Sequence, residues 1–160
     1  PHLAGELLNS MAGIKMVHIP FKGGGPSLTA VMSGQVHLFM GGMSAAMPPV
    51  KDGRLRGIAV TSPKRSQFMP DVPTIAESGL PGFDVVNWYA IFAPDATPKA
   101  IISRLNSEIV KAMAAPEIRK RFAALATDAD TSTPAELGAY HRSEIKKWAQ
   151  VVKTAGIKPE

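Results

Sequence analysis

At 160 residues with a formal charge of +5 and no cysteine, the chain can bury one substantial core, while disulfides, thiolate catalysis and thiolate zinc sites are excluded. No apolar run approaches the roughly 20 residues of a membrane helix, so a soluble globular protein is the expectation. Lys and Arg alternate with Asp and Glu, and the positive balance reads as a mixed, solvated surface rather than a nucleic-acid patch.

In chain order, helical patterns over 3–12, 26–33 and 44–52 each stop at a glycine, respectively Gly13, Gly34 and Gly53. A left-handed residue is the common end of a helix, and glycine adopts that conformation without steric cost. Strand patterns over 16–21, 36–40 and 55–61 follow within about two residues. Short strands alternating with short helices predict an α/β fold with a largely parallel sheet. In such a sheet the strand-to-helix loops share the edge where ligands bind. Gly23, Gly24 and Gly25 follow the first predicted strand, Gly41 and Gly42 the second, and Thr61 and Ser62 the third.

The run Gly23-Gly24-Gly25-Pro26-Ser27 admits two readings. Glycines let backbone approach a ligand, and Pro26 fits a first helical turn because its missing N–H has no helical use there. The amides of Gly24, Gly25 and Ser27, at the positive end of a helix dipole, would then hold an anion such as a carboxylate. The plainer reading is a tight turn that needs positive φ. Lys22 precedes the run, and no Lys-Ser or Lys-Thr pair follows it at P-loop spacing.

Beyond Thr61 the text is rich in Pro and Gly. Thr74 and Glu77 have capping-box spacing before Gly79, which predicts one short embedded helix. Residues 84–94 predict a strand. An amphipathic helix over 98–115 places Ile101, Ile102, Leu105, Ile109, Ala112 and Met113 on one face. A second begins at Pro116 with Ile118, Phe122 and Leu125 inward. A third has Thr133 as N-cap, Pro134 at the first turn, Glu136 at the third position and Gly156 as its stop, with a stripe through Leu137, His141, Ile145, Trp148 and Val152. These stripes need covering, and this half supplies few strands to cover them.

Catalytic apparatus is absent from the text. His2, His18, His37 and His141 are isolated, without HExxH spacing, and Ser27 lies outside a GxSxG elbow. No metal site, cofactor or enzymatic activity is expected. Trp88 has two readings, core packing or a cleft wall.

The stretches "HLAGELLNSMAGIKMVHIPFKGGGPSLTAVMSGQVHLFM", "GRLRGIAVTSPKRSQFMPDVPTIAESGLPGFDVVNWYAIFAPDATPKAIISRLNSEI" and "SEIKKWAQVVKTAGIKPE" together resemble the substrate-binding proteins of tripartite tricarboxylate transporters, the Bug or TctC family. The resemblance implies a periplasmic receptor of type II binding-protein topology, with two α/β lobes closing over a small organic anion and delivering it to membrane permease subunits. It implies ligand contact by Gly23, Gly24, Gly25, Pro26 and Ser27; Gly41, Gly42 and Ser44 of the next loop, and Trp88 as a cleft wall, are the further candidates. Where the family carries Asp and Asn after the second strand, this chain reads Gly41-Gly42-Met43-Ser44, which implies a more apolar ligand body.

Family members are about twice as long. The resemblance therefore implies that residues 1–86 form part of the second ligand-binding lobe. Residues 87–160 would be the crossover strand and the C-terminal helices that pack on the first lobe, the whole being an N-terminally truncated fragment. Such a fragment is expected to bind carboxylates weakly. The alternative is a self-associating module without ligand binding of its own, forming a homo-oligomer through its uncovered helices.

Overall fold

The computed structural model describes residues 1–157, so the last three residues of the expected 87–160 region lie outside the described residues. The chain divides into two compact units, Pro1–Asn87 together with the chain from Gln150, and Trp88–Ala149.

In the first unit, α1 (His2–Ala12), α2 (Gly24–Met32) and α3 (Met43–Lys51) occupy the three predicted helical stretches. Their glycine stops are left-handed as expected, with φ of 65° at Gly13, 75° at Gly34 and 72° at Gly53. The same closing bond recurs each time, an amide donating to the carbonyl five residues earlier: Ile14 to Asn9 (3.1 Å), Gln35 to Ala30 (2.9 Å) and Arg54 to Pro49 (2.9 Å). This pattern satisfies carbonyls that the helix end would otherwise leave open. Pro48 and Pro49 lie inside α3, where each forgoes one helical N–H bond.

The expected strands differ from this regularity. Residues 16–21, 36–40, 55–61 and 84–94 form no β-ladder among the described residues, where one isolated parallel bridge joins Val60 to Thr74. A strand is stable only through a neighbour that takes up its N–H and C=O groups, and these runs lack one. Their apolar side chains show it, for Val17 is 83% and Ile58 65% exposed. The parallel sheet foreseen from the pattern is thus reduced to a small nucleus. The Val60 amide donates to Pro73 O (2.8 Å), the Ile75 amide to Val60 O (3.0 Å) and the Val85 amide to Thr61 O (2.9 Å).

The core of this unit gathers on that nucleus. Thr74 is 0% and Phe83 1% exposed, with Val60, Ala4, Ala30 and Val151 also buried. Thr74 and Glu77 form the expected reciprocal pair, the Thr74 amide donating to Glu77 Oε2 (3.0 Å) and the Glu77 amide to Thr74 Oγ1 (2.9 Å). They close a hydrogen-bonded turn rather than the helix the spacing suggested, because Gly79 follows within one turn and leaves no length to propagate. Arg65 adds a bond from Nε to Glu77 Oε2 (2.8 Å). The Thr74 amide and then Arg65 hold the Glu77 carboxyl below its usual range.

α1 is tied to the run after it by side chains. Asn9 accepts the Met16 amide on Oδ1 (2.9 Å) and donates Nδ2 to the Met16 carbonyl (3.4 Å). The rings of His2 and His18 stack at 3.9 Å. His18 is nonetheless exposed.

The second unit contains α4 (Lys99–Ala114), α5 (Pro116–Ala124) and most of α6 (Pro134–Ala155). Thr133 and Glu136 make the predicted capping box, the Thr133 amide donating to Glu136 Oε2 (2.8 Å) and the Glu136 amide to Thr133 Oγ1 (3.2 Å). The Thr133 backbone bond, then its hydroxyl, lowers the Glu136 pKa. α4 packs on α5, yet none of its residues is buried. Leu125, expected inward, is 61% exposed, and Ile101, Leu105 and Ile145 are exposed with it. A stripe fixed by helical periodicity is covered only where a second surface meets it, and these positions have none.

Candidate functional site

Helix α2 begins at the glycine run, and the chemistry of its first turn follows from counting amides. The first four N–H groups of a helix, from the N-cap on, have no acceptor within it. Here the Gly23 amide donates to Phe21 O (2.9 Å) and Pro26 has no N–H. The amides of Gly24 and Gly25 remain without an acceptor among the described residues.

Neighbouring side chains leave this pair open. Gly23, Gly24, Gly25 and Pro26 are exposed, and a β-carbon built on any of the three glycines would meet nothing within 4 Å. No acidic residue lies in the first turn of α2 or of α3, so nothing of negative charge there competes for the helix dipole. The exposed Lys22 adds a positive charge beside the run. The Ser27 hydroxyl donates back to Gly23 O (3.2 Å) or Gly24 O (3.0 Å), and the Thr29 hydroxyl to Gly25 O (3.2 Å). Both hydroxyls engage the carbonyls of the run, which sequence alone did not indicate. Two outward amides at a helix start can take the oxygens of one carboxylate.

The second glycine loop leads into α3, which packs on α2. Gly42 is its N-cap, and its carbonyl accepts the amides of Ala45 (3.1 Å) and Ala46 (3.2 Å). The amides of Met43 and Ser44 have no acceptor among the described residues, and Ser44 is exposed. Gly41 differs from the first run. A β-carbon there would strike the ring of Phe39, so Phe39 covers this glycine, and small size at 41 serves that packing.

Trp88 belongs to the second unit. Its ring meets Tyr140 edge-on at 5.6 Å and His141 at 6.1 Å. Burial raises the Glu144 pKa, but the bonds from Lys147 and Trp148 outweigh it, and the carboxyl lies below its usual range. His37 is exposed. No group of three or more His, Cys, Asp or Glu side chains suited to a metal ion occurs among the described residues, and none of their helices is long and apolar enough to cross a membrane. A recess lined by Glu6, Asn9, Ser10, Ile14, Thr154 and Ala155 contains no residue of either glycine loop.

Comparison with known proteins points one way. Residues 1–157 match the family described as the tripartite tricarboxylate transporter family receptor. The UPF0065 protein of the tcbD-tcbE intergenic region of Pseudomonas sp. strain P51 is 35% identical over 94% of this chain and 45% of its own length. Its counterpart from the clcB-clcD intergenic region of Pseudomonas knackmussii is 31% identical over 94% and 90%. Among solved structures, R. palustris Rpa4515 with adipate is 32% identical with a TM-score of 0.82, over 99% of this chain and 53% of that one. The periplasmic binding protein BugD is 28% identical with a TM-score of 0.73, over 99% and 54%. MatC of Rhodopseudomonas palustris with bound malate is 30% identical with a TM-score of 0.70, over 94% and 52%. These likenesses give the chain a binding-protein fold, and it spans about half the length of most curated relatives it matches. With the family matched over nearly every residue, the chain belongs to the tripartite tricarboxylate transporter receptors.

Proposed function

We propose that this chain is part of a periplasmic receptor, not an enzyme, that holds a small organic carboxylate on the amides of Gly24 and Gly25 and serves membrane permease subunits. The observation that carries the reading is the pair of unbonded amides at the start of α2, with open space beside each glycine. Gly42, Met43 and Ser44 supply the second helix start, which Gly41 precedes, and the Met43 side chain suits an apolar ligand body. Adipate and malate, found with Rpa4515 and MatC, define the ligand class to test.

Calorimetry with adipate, malate and the uncharged diamide of adipic acid tests this reading. The dicarboxylates should bind, more weakly than adipate binds double-length Rpa4515, and the diamide should not. Gly24→Pro removes one donor at the first helical position, where proline fits. It should weaken binding by about tenfold or more, since a hydrogen bond to a charged group contributes about 1.5–3 kcal/mol. Equal binding of the diamide, or undiminished binding by G24P, would contradict the proposal.

A further inference from the structure

Residues 83–94 contain no helix, turn or bend, and none of them has a positive φ. Residues 88–93 of this run, with the sequence WYAIFA, lie within the second unit. Exposure alternates along them as an extended chain requires, Trp88 and Ala90 being half-buried while Tyr89 is 88% and Ile91 74% exposed. Trp88 and Phe92, placed symmetrically about Ala90, both lie against His141 of α6, with ring centroids 6.1 and 5.7 Å away. One side of the run therefore meets α6, and Tyr89 and Ile91 stand on the other.

The backbone of the run is unpaired. No amide of residues 88–93 donates to a backbone carbonyl among the described residues, and no carbonyl of theirs accepts a backbone amide. Exposed backbone of this kind is a template for a further strand. Six residues rich in aromatic and β-branched side chains, without charge, proline or glycine, have the composition that pairs between identical chains. The nearest charged side chains in sequence, Asp84 and Asp95, lie outside the run, so two copies of it bring no like charges opposite each other.

We propose that residues 88–93 are a strand-addition site whose occupant is the same run of a second copy of this chain, paired antiparallel about Ala90. A two-fold axis makes such an edge complementary to itself, and residues directly opposite in an antiparallel pair share a face. In this register Trp88 of each copy opposes Phe92 of the other on the side toward α6, and Tyr89 opposes Ile91 on the far side. These are aromatic and aromatic–β-branched pairs, the combinations that favour cross-strand contact, and the small Ala90 meets itself at the axis. Centred on Tyr89 or on Ile91 instead, the pairing would set Trp88 or Phe92 against Ala90 and lose its aromatic partner.

Sedimentation velocity over about a hundredfold range of chain concentration tests the proposal, since association follows mass action. The wild-type chain should pass from monomer to dimer. Ile91→Lys sets a charge against the other copy's Tyr89 and should remain monomeric. Val17→Lys, at an apolar residue of the first unit that is 83% exposed, should dimerise as the wild type does. Both positions are exposed, so the fold should survive either change. Ala90→Cys, in a chain with no other cysteine, should link two copies on mild oxidation, whereas Val17→Cys should not. A wild-type chain that stays monomeric throughout, a dimer that survives I91K or is lost equally in V17K, or A90C chains that do not link would overturn the proposal. Growth past the dimer would also contradict a closed two-fold pair. So would slow amide exchange across residues 88–93 in the monomer, because another part of the chain would then cover the run.

Discussion

Replacing Phe83 with alanine is expected to lower the urea midpoint of the chain by more than about 1 M, or to abolish its cooperative transition. Phe83 is 1% exposed and is the largest side chain buried completely. The other buried apolar residues of the first unit are small, Ala4, Ala30, Val60 and Val151, so little else can fill the space. A buried Phe→Ala change costs about 3–5 kcal/mol, against a total of about 5–15 kcal/mol for an ordinary domain. With a urea dependence of about 1–3 kcal/mol per M, the shift is well outside measurement error. Leu125→Ala is the matched control. That side chain is 61% exposed, and its loss should change stability by less than about 0.5 kcal/mol. Equal shifts for the two variants would contradict the assignment of the core.

Gly23→Ala should cost of the order of 1–3 kcal/mol and reduce adipate affinity by more than tenfold. The backbone at Gly23 has φ 101° and ψ 175°, a region essentially closed to residues with a side chain. The penalty is torsional, because a β-carbon there would touch nothing within 4 Å. Relief requires rotation at residue 23, and that rotation swings the Gly24 and Gly25 amides that follow. Gly24→Ala provides the contrast. Its space is open, its φ is not positive, and it keeps its N–H, so fold and binding should survive. Calorimetry and thermal melts of both variants measure the difference.

These expectations also show which features were legible in sequence. The helices and their stops were, because a glycine at φ 65° to 75° and a capping box each act within a few residues. The strands were not, since a ladder depends on a neighbour elsewhere in the chain, and the alternating runs around Val17 and Ile58 could not declare whether one is present. Inward faces were legible as stripes but not as burial, as Leu125 shows. The core around Thr74 and Phe83 lay hidden in Pro- and Gly-rich text that resembles a loop. Its one local sign was the Thr74–Glu77 spacing. At the site, the open amides followed from the position of three glycines before Pro26, whereas the inward bonds of the Ser27 and Thr29 hydroxyls did not.

The central claim concerns two particular N–H groups, and an amide-resolved titration reaches them directly. Uniformly 15N-labelled chain titrated with adipate should show the Gly24 and Gly25 amide signals moving downfield, with larger displacements than those elsewhere and a common saturation. Saturable binding of adipate that leaves both signals in place would contradict the account.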